Sequence, residues 1–279
     1  MSTCLVGSEM CIRDRTNLVL TRGEAMDPAI PEVDGGAIEN WSIYPDLPDG
    51  LVFDNGTISG TPTVNMTIAN YLIYGNNSGG SSVVGLSITI LEPAPTITYQ
   101  TDYLVLTRGE AMPSNLQAIF GGGAVASFTV TPELPDGLNF TNGTIFGTPS
   151  VNSTLVQYNI TALNNGGSDY FLLNITILET VAILEAESTY FELIRSKDYM
   201  NLTLNNTGGM AATWEIEPFL PDGLIFGNGT ITGTPTVNAS LASYTIWANN
   251  TGGSDSIIIN IKILEPVANI SYRRTDFTV

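Results

Sequence analysis

The pentapeptide Leu-Pro-Asp-Gly-Leu occurs three times, beginning at Leu47, Leu134 and Leu220, which lie 87 and 86 residues apart. Each copy is followed by Asn-Gly-Thr-Ile (Asn55–Ile58, Asn142–Ile145, Asn228–Ile231) and then by Gly-Thr-Pro (Gly60–Pro62, Gly147–Pro149, Gly233–Pro235). An Asn-Asn segment rich in glycine starts at Asn76, Asn164 and Asn249, and each copy closes on Ile-Leu-Glu, at Ile90, Ile177 and Ile263. Landmarks this regular mean one structural unit copied in tandem. A unit of roughly 86 residues is long enough to carry its own core and too long for a leucine-rich, ankyrin or propeller repeat.

The repeat sets the expected domain limits: 16–93 for a first copy truncated at its start, 94–180 for the second, 181–266 for the third. The second copy opens with Ile97–Met112, of which the first retains only Leu18–Met26. Residues 267–279 read as the beginning of a fourth copy, since Ile270–Val279 resembles the start of the second. Residues 1–15 match nothing in the repeat. Their string CLVGSEMCIRDR resembles translated sequencing-adapter read-through, so they are expected to be a non-native leader. They lack the basic start and apolar stretch of a signal peptide, and they hold both cysteines, Cys4 and Cys11. The body of the chain therefore has no disulfide available.

Local patterns predict strands throughout. Near the end of the second copy Phe171, Leu173, Ile175 and Ile177 alternate with Tyr170, Leu172, Asn174 and Thr176. The third copy alternates Ile257, Ile259, Ile261 and Ile263 with Ile258, Asn260 and Lys262. The first alternates Val84, Leu86, Ile88 and Ile90 with Gly85, Ser87 and Thr89. Period two with one apolar face means a sheet buried on one side. The preceding run, with Tyr158, Ile160 and Ala162 on one face, pairs with it across the Asn-Gly-Gly turn as a hairpin. Another strand carries an aromatic six residues before each pentapeptide, Trp41, Phe128 and Trp214, expected to anchor the centre of the core. The turn residues Pro48, Asp49, Gly50, Pro135, Asp136, Gly137, Pro221, Asp222 and Gly223 have a structural explanation. Proline presets φ, aspartate bonds nearby backbone and glycine takes positive φ.

The long signature Leu47–Thr63, LPDGLVFDNGTISGTPT, and its two counterparts resemble the putative Ig domain family (He_PIG), whose relatives are cadherin-like modules. The resemblance covers residues 16–266. It implies an all-β chain of three tandem Ig-like β-sandwich domains, beads on a string without disulfides. Such strings build large bacterial and archaeal surface proteins, so the expected setting is extracellular or cell-surface. No catalytic residue is implied.

Composition narrows function. The chain has a net charge of −18, no histidine and only 13% charged residues. Nucleic-acid phosphates would repel it, and no run of about 18 apolar residues is available to span a membrane. Without histidine, Ser–His and Cys–His catalysis are out of reach. The chain is thus read as no enzyme, with no cofactor. Calcium is the one metal to weigh, because cadherin-like strings bind it at junctions and it takes oxygen ligands. The junction-near acids are Glu92, Asp102, Glu179, Glu265 and Asp276, joined by Glu185 and Glu187. The linkers LEPAP, LETVA and LEPVA lack clustered Asp and Asn.

Fifteen N-x-S/T sequons stand where composition would give roughly 5. Many are turn motifs copied with the repeat. Asn159 and Asn174 fall on strand faces expected to be solvent-exposed, and with Asn201 and Asn249 they are the candidate N-glycosylation sites. The functional expectation is a structural spacer whose partners are the neighbouring repeats. One alternative is an adhesin binding a surface protein or glycan, with Tyr190–Asn206, the most divergent segment, as the place to look. Another is an accessory module of a larger secreted enzyme.

Overall fold

The computed structural model describes residues 16–271. Asp276, together with Cys4 and Cys11, lies outside them. Among the described residues every regular element is a strand, and three separate apolar cores form. The first gathers Leu51, Ile58, Tyr71, Leu86, Ile88 and Ile90. The second is centred on Ile145, Ile160, Leu173 and Ile175, and the third on Ile231, Ile246, Ile259 and Ile261.

The second unit shows the plan. A four-stranded sheet runs in the order Ser127–Thr131, Ser153–Asn164, Gly167–Leu178, Tyr103–Thr107. Its first three strands are antiparallel, and the last joins the edge in parallel. Facing it are a sheet of Leu116–Gln117, Thr144–Gly147 and Leu138–Thr141, and the pair Ile119–Gly122 with Pro95–Thr98. The first and third units repeat the four-stranded sheet, the parallel edge strand and the three-stranded partner. Side-chain alternation explains the assembly. Leu173, Ile175 and Ile177 are at most 1% exposed while Tyr170 and Leu172, on the opposite face of the same strand, are exposed, so each sheet has one face to bury against the other.

The repeated motifs are turns that lock onto each other. In Pro48–Leu51 the amide of Leu51 donates to Pro48 O, with Gly50 at φ 91°. Gly137 and Gly223 repeat this at 89° and 91°. Aspartate acts here through its main chain: Asp49 O accepts both the amide and the hydroxyl of Thr63, while its side chain is exposed. Asp136 with Ser150 and Asp222 with Thr236 do the same. Gly50 O also accepts from Thr61 N, and a Cβ on Gly50 would sit 2.0 Å from Thr61 O. Each pentapeptide therefore needs its Gly-Thr-Pro, which is why the two recur together.

The aromatic residues Trp41, Phe128 and Trp214 are half-buried. Phe128 and Trp214 pack against the cores of their units, whose fully buried residues are mainly isoleucines. Each NGT turn places Asn and Gly at positive φ, as a two-residue hairpin demands. The bare glycine leaves room for a ring: Trp41 lies against Gly56 and Trp214 against Gly229. Phe128 instead packs on Phe120 and Phe140, with ring centroids 5.5 and 6.0 Å apart. The divergent Tyr190–Asn206 sends Leu193, Met200, Leu202 and Leu204 into the core and leaves Tyr190 and Tyr199 exposed.

Candidate functional site at the module junctions

Three of the acids weighed as calcium ligands, Glu92, Glu179 and Glu265, are paired with arginines. The turn after the parallel edge strand carries Arg22, Arg108 and Arg195, whose amides donate to Leu91 O, Leu178 O and Leu264 O at the end of the last strand. That docking puts each guanidinium beside the next residue, glutamate. Arg22 Nη2 lies 2.6 Å from Glu92 Oε2, Arg108 Nη2 2.6 Å from Glu179 Oε1, and Arg195 Nη2 2.7 Å from Glu265 Oε2. Hydrogen bonding from Arg108 holds the Glu179 carboxyl below its usual range, against the opposing pull of burial. The hydrogen bond to Glu92 likewise raises the Arg22 guanidinium. A carboxylate already paired with a guanidinium is a poor calcium ligand. Asp102 contributes its main-chain oxygen, which accepts from Asn174 N and Nδ2. No group of three or more acid, histidine or cysteine side chains converges among the described residues.

The same glutamates begin the linkers, and the following unit grips them. The amide of Glu92 donates to Asn165 Oδ1 at 2.9 Å, and that of Glu179 to Thr251 Oγ1 at 2.9 Å. Asn164 Nδ2 donates to Pro93 O at 2.7 Å, and Asn250 Nδ2 to Thr180 O at 2.7 Å. Their Oδ1 atoms accept from Gly166 N and Gly252 N, closing the hairpin turn around the contact. Two residues into the next strand, Asp169 Oδ2 accepts from Ile97 N and Asp255 Oδ2 from Leu184 N. Glycine is required by the close approach: a Cβ on Gly166 would lie 1.6 Å from Glu92 O, and one on Gly252 1.9 Å from Glu179 O.

Burial follows from this grip. The side chains of Glu92 and Glu179, each covered by a following hairpin, are 14% and 8% exposed, whereas that of Glu265 is 54% exposed. The arginine side chains stay 39–40% exposed in all three pairs, so it is the glutamate alone that is covered at the two linkers.

The remaining candidate residues scatter. Asn159 is exposed, accepting only from Thr161 Oγ1, and Asn201 is exposed. Asn174 and Asn249 are half-buried, contrary to the expected exposure of Asn174. The Asn174 amide bonds to Asp102 O, and Asn249 Nδ2 reaches Thr213 and Glu215. Both serve to tie strands together. The Asx pairing of the hairpin turn with the linker was missed in the sequence. Its signal, an Asn two residues before a glycine beside each linker, is visible only once the hairpin is placed.

Facing sheets, three cores and a hydrogen-bonded linker at each junction define a tandem array of Ig-like β-sandwich domains. The chain belongs to the putative Ig domain family (He_PIG), whose pattern matches residues 94–178 and 193–264. No curated protein matches its sequence. It is similar in structure to the N-terminal eight Ig domains of Down Syndrome Cell Adhesion Molecule isoform 1.30.30. The identity is 13% and the TM-score 0.40, over 90% of this chain and 35% of that one. It thus spans about a third of that chain. Titin domains I67–I69 match at 13% identity and TM-score 0.39, over 91% of this chain and 97% of that one. Drosophila N-cadherin EC1-3 matches at 11% and 0.40, over 91% and 99%. Among the described residues no helix is long and apolar enough to cross a membrane.

Proposed function

We propose that this chain is a non-enzymatic spacer segment of an extracellular, cell-surface protein, in which units 16–93, 94–180 and 181–266 are held in fixed relation by their junctions. The observation that carries the reading is the doubly anchored linker. Its glutamate side chain belongs to the preceding unit and its main chain to the following one. A flexible tether needs neither contact, and the two prolines of the first linker, Pro93 and Pro95, stiffen it further. Partners are first of all the neighbouring repeats.

The test is a distance distribution. Spin labels go on cysteines at exposed Asp54 and Thr141, with Cys4 and Cys11 changed to serine. A single narrow distribution between the first two units is expected. A broad one, as for freely jointed units, overturns the reading.

A second reading, adhesion to a surface protein or glycan, draws on the outer face of the large sheet in the second unit. Tyr103, Tyr170 and Leu172 are exposed there at 46%, 61% and 40%. Side chains of that size on a solvent-facing sheet suit a binding partner.

A further inference from the structure

Two sequon sets recur in all three copies. Asn65, Asn152 and Asn238 sit at the entrance to the long hairpin strand. Asn55, Asn142 and Asn228 form the NGT turns. The second set presents its asparagines on exposed turns. The asparagine adopts φ of 45°, 48° and 48° and is exposed in all three units. Threonine follows the glycine each time, which completes an N-x-T sequon in every copy.

The turns are also rigid and lined by rings. Gly143 O accepts from Ala118 N and from the Tyr99 hydroxyl, and Gly229 O accepts from Leu204 N. A Cβ on Gly143 would lie 2.6 Å from Phe120 Cζ, on Gly56 2.9 Å from Trp41 Cδ2, and on Gly229 2.7 Å from Trp214 Cη2. An aromatic side chain thus abuts the residue next to the acceptor in every copy, although the ring comes from a different strand in the second unit. There a cleft of about 430 Å³ is lined by Phe120, Gly122, Val125, Phe128 and Asn142 itself. Phe120 is 47% exposed, a cost the core does not require.

We propose that Asn55, Asn142 and Asn228 are N-glycan acceptors, and that the first sugar of each glycan seats on the aromatic ring beside its turn. Natural occupancy rests on the extracellular reading above. The co-reactant is a glycosyl polyprenyl diphosphate. The asparagine Nδ2 forms a bond to C1 of the sugar, the C1–O bond breaks, polyprenyl diphosphate leaves, and the amide proton passes to a base of the transferring enzyme. The C–H face of a pyranose then meets the electron-rich face of the ring. The carboxamide of Asn142 and the cleft walls orient it. By contrast, the amides of Asn174 and Asn249 are committed to strand contacts.

The test is secretion of the chain, behind a signal peptide, from a eukaryotic cell line, followed by site-resolved peptide mass mapping. The glycosylated form of the wild type is then compared by thermal melting with Asn142→Gln, each with and without Phe120→Ala. Glycans at Asn55, Asn142 and Asn228 are expected. The Asn142 glycan should raise the melting temperature of the second unit by about 4 °C, and the gain should vanish with Phe120→Ala. Unmodified peptides at these three positions overturn the assignment, whether or not Asn65, Asn152 or Asn238 carry sugar. A melting gain that survives Phe120→Ala overturns the sugar seat. The spacer reading is decided separately by label distances, which need no glycan.

Discussion

Replacing Gly166 by alanine should loosen one junction while leaving both flanking cores intact. The new methyl would be placed 1.6 Å from the carbonyl oxygen of Glu92 and 2.8 Å from its carbon. Those are main-chain atoms, so the linker itself must move away. Two hydrogen bonds go with it, Glu92 N to Asn165 Oδ1 and Asn164 Nδ2 to Pro93 O. At about 0.5–1.5 kcal/mol each, the seated junction loses about 1–3 kcal/mol. At 1.4 kcal/mol per factor of ten, the unseated population rises about 5- to 150-fold. Gly166 does not have positive φ, so no strain argument applies within the hairpin, and the second core lies elsewhere. The assay is amide hydrogen exchange at Glu92, whose N–H is protected only by the junction bond, with thermal melting alongside. Exchange at Glu92 should accelerate by that factor while the core amides of Ile160 and Leu173 keep their protection. The control is Gly227→Ala, where an added methyl meets nothing within 4 Å. Unchanged exchange in Gly166→Ala, or equal acceleration in the control, would refute the claim that the hairpin holds the linker.

Arg108→Leu leaves Glu179 buried without its guanidinium and should cost about 2 kcal/mol, read as a lower melting temperature. Because the folded carboxyl titrates below its ordinary value of 4.5, its stabilisation is present above that pH and is lost as pH falls through the lower folded value. The wild type should therefore lose stability below about pH 4.5 more steeply than Arg108→Leu, and parallel acid profiles would count against the pairing. Burial pushes the Tyr99 phenol up to about 12. Its contribution is complete below pH 10 and disappears as pH rises towards 12, so an ultraviolet titration should show a tyrosine ionising late, absent in Tyr99→Phe. That variant also loses the 2.7 Å bond to Gly143 O and should be less stable by about 1 kcal/mol. Millimolar calcium should leave the melting temperature unchanged, since Glu92 and Glu179 are bound by arginines. A rise in calcium would show that the pairs yield to the ion.

What the sequence disclosed and what it withheld divide along a physical line. The alternating runs at Phe171–Ile177 and Ile257–Ile263 report a local property, one face wet and one dry, and a strand needs only local information to be recognised. Family membership was legible for a similar reason, because the turn chemistry of residues 47–63 is contiguous. The contact of Trp41 and Trp214 with a glycine turn was not legible. An aromatic in a strand does not name what it packs on, and the deciding fact is a glycine 15 residues later in the chain, at Gly56 and Gly229. The junction was hidden more deeply. Arg22 and Glu92 are 70 residues apart, and Arg108 and Glu179 are 71, so nothing in the linker sequence marks its glutamate as neutralised. Read alone, LEPAP and LETVA offer a free acid at a domain boundary, which is the pattern that suggests a metal. The structure shows what else surrounds that acid. The acid's partner is supplied by the unit before it and its cover by the unit after it. Glu92 and Glu179, whose linkers are bonded by the following hairpin, are 14% and 8% exposed. A property that exists only between copies cannot be read from any one of them, and it is the property on which a spacer depends.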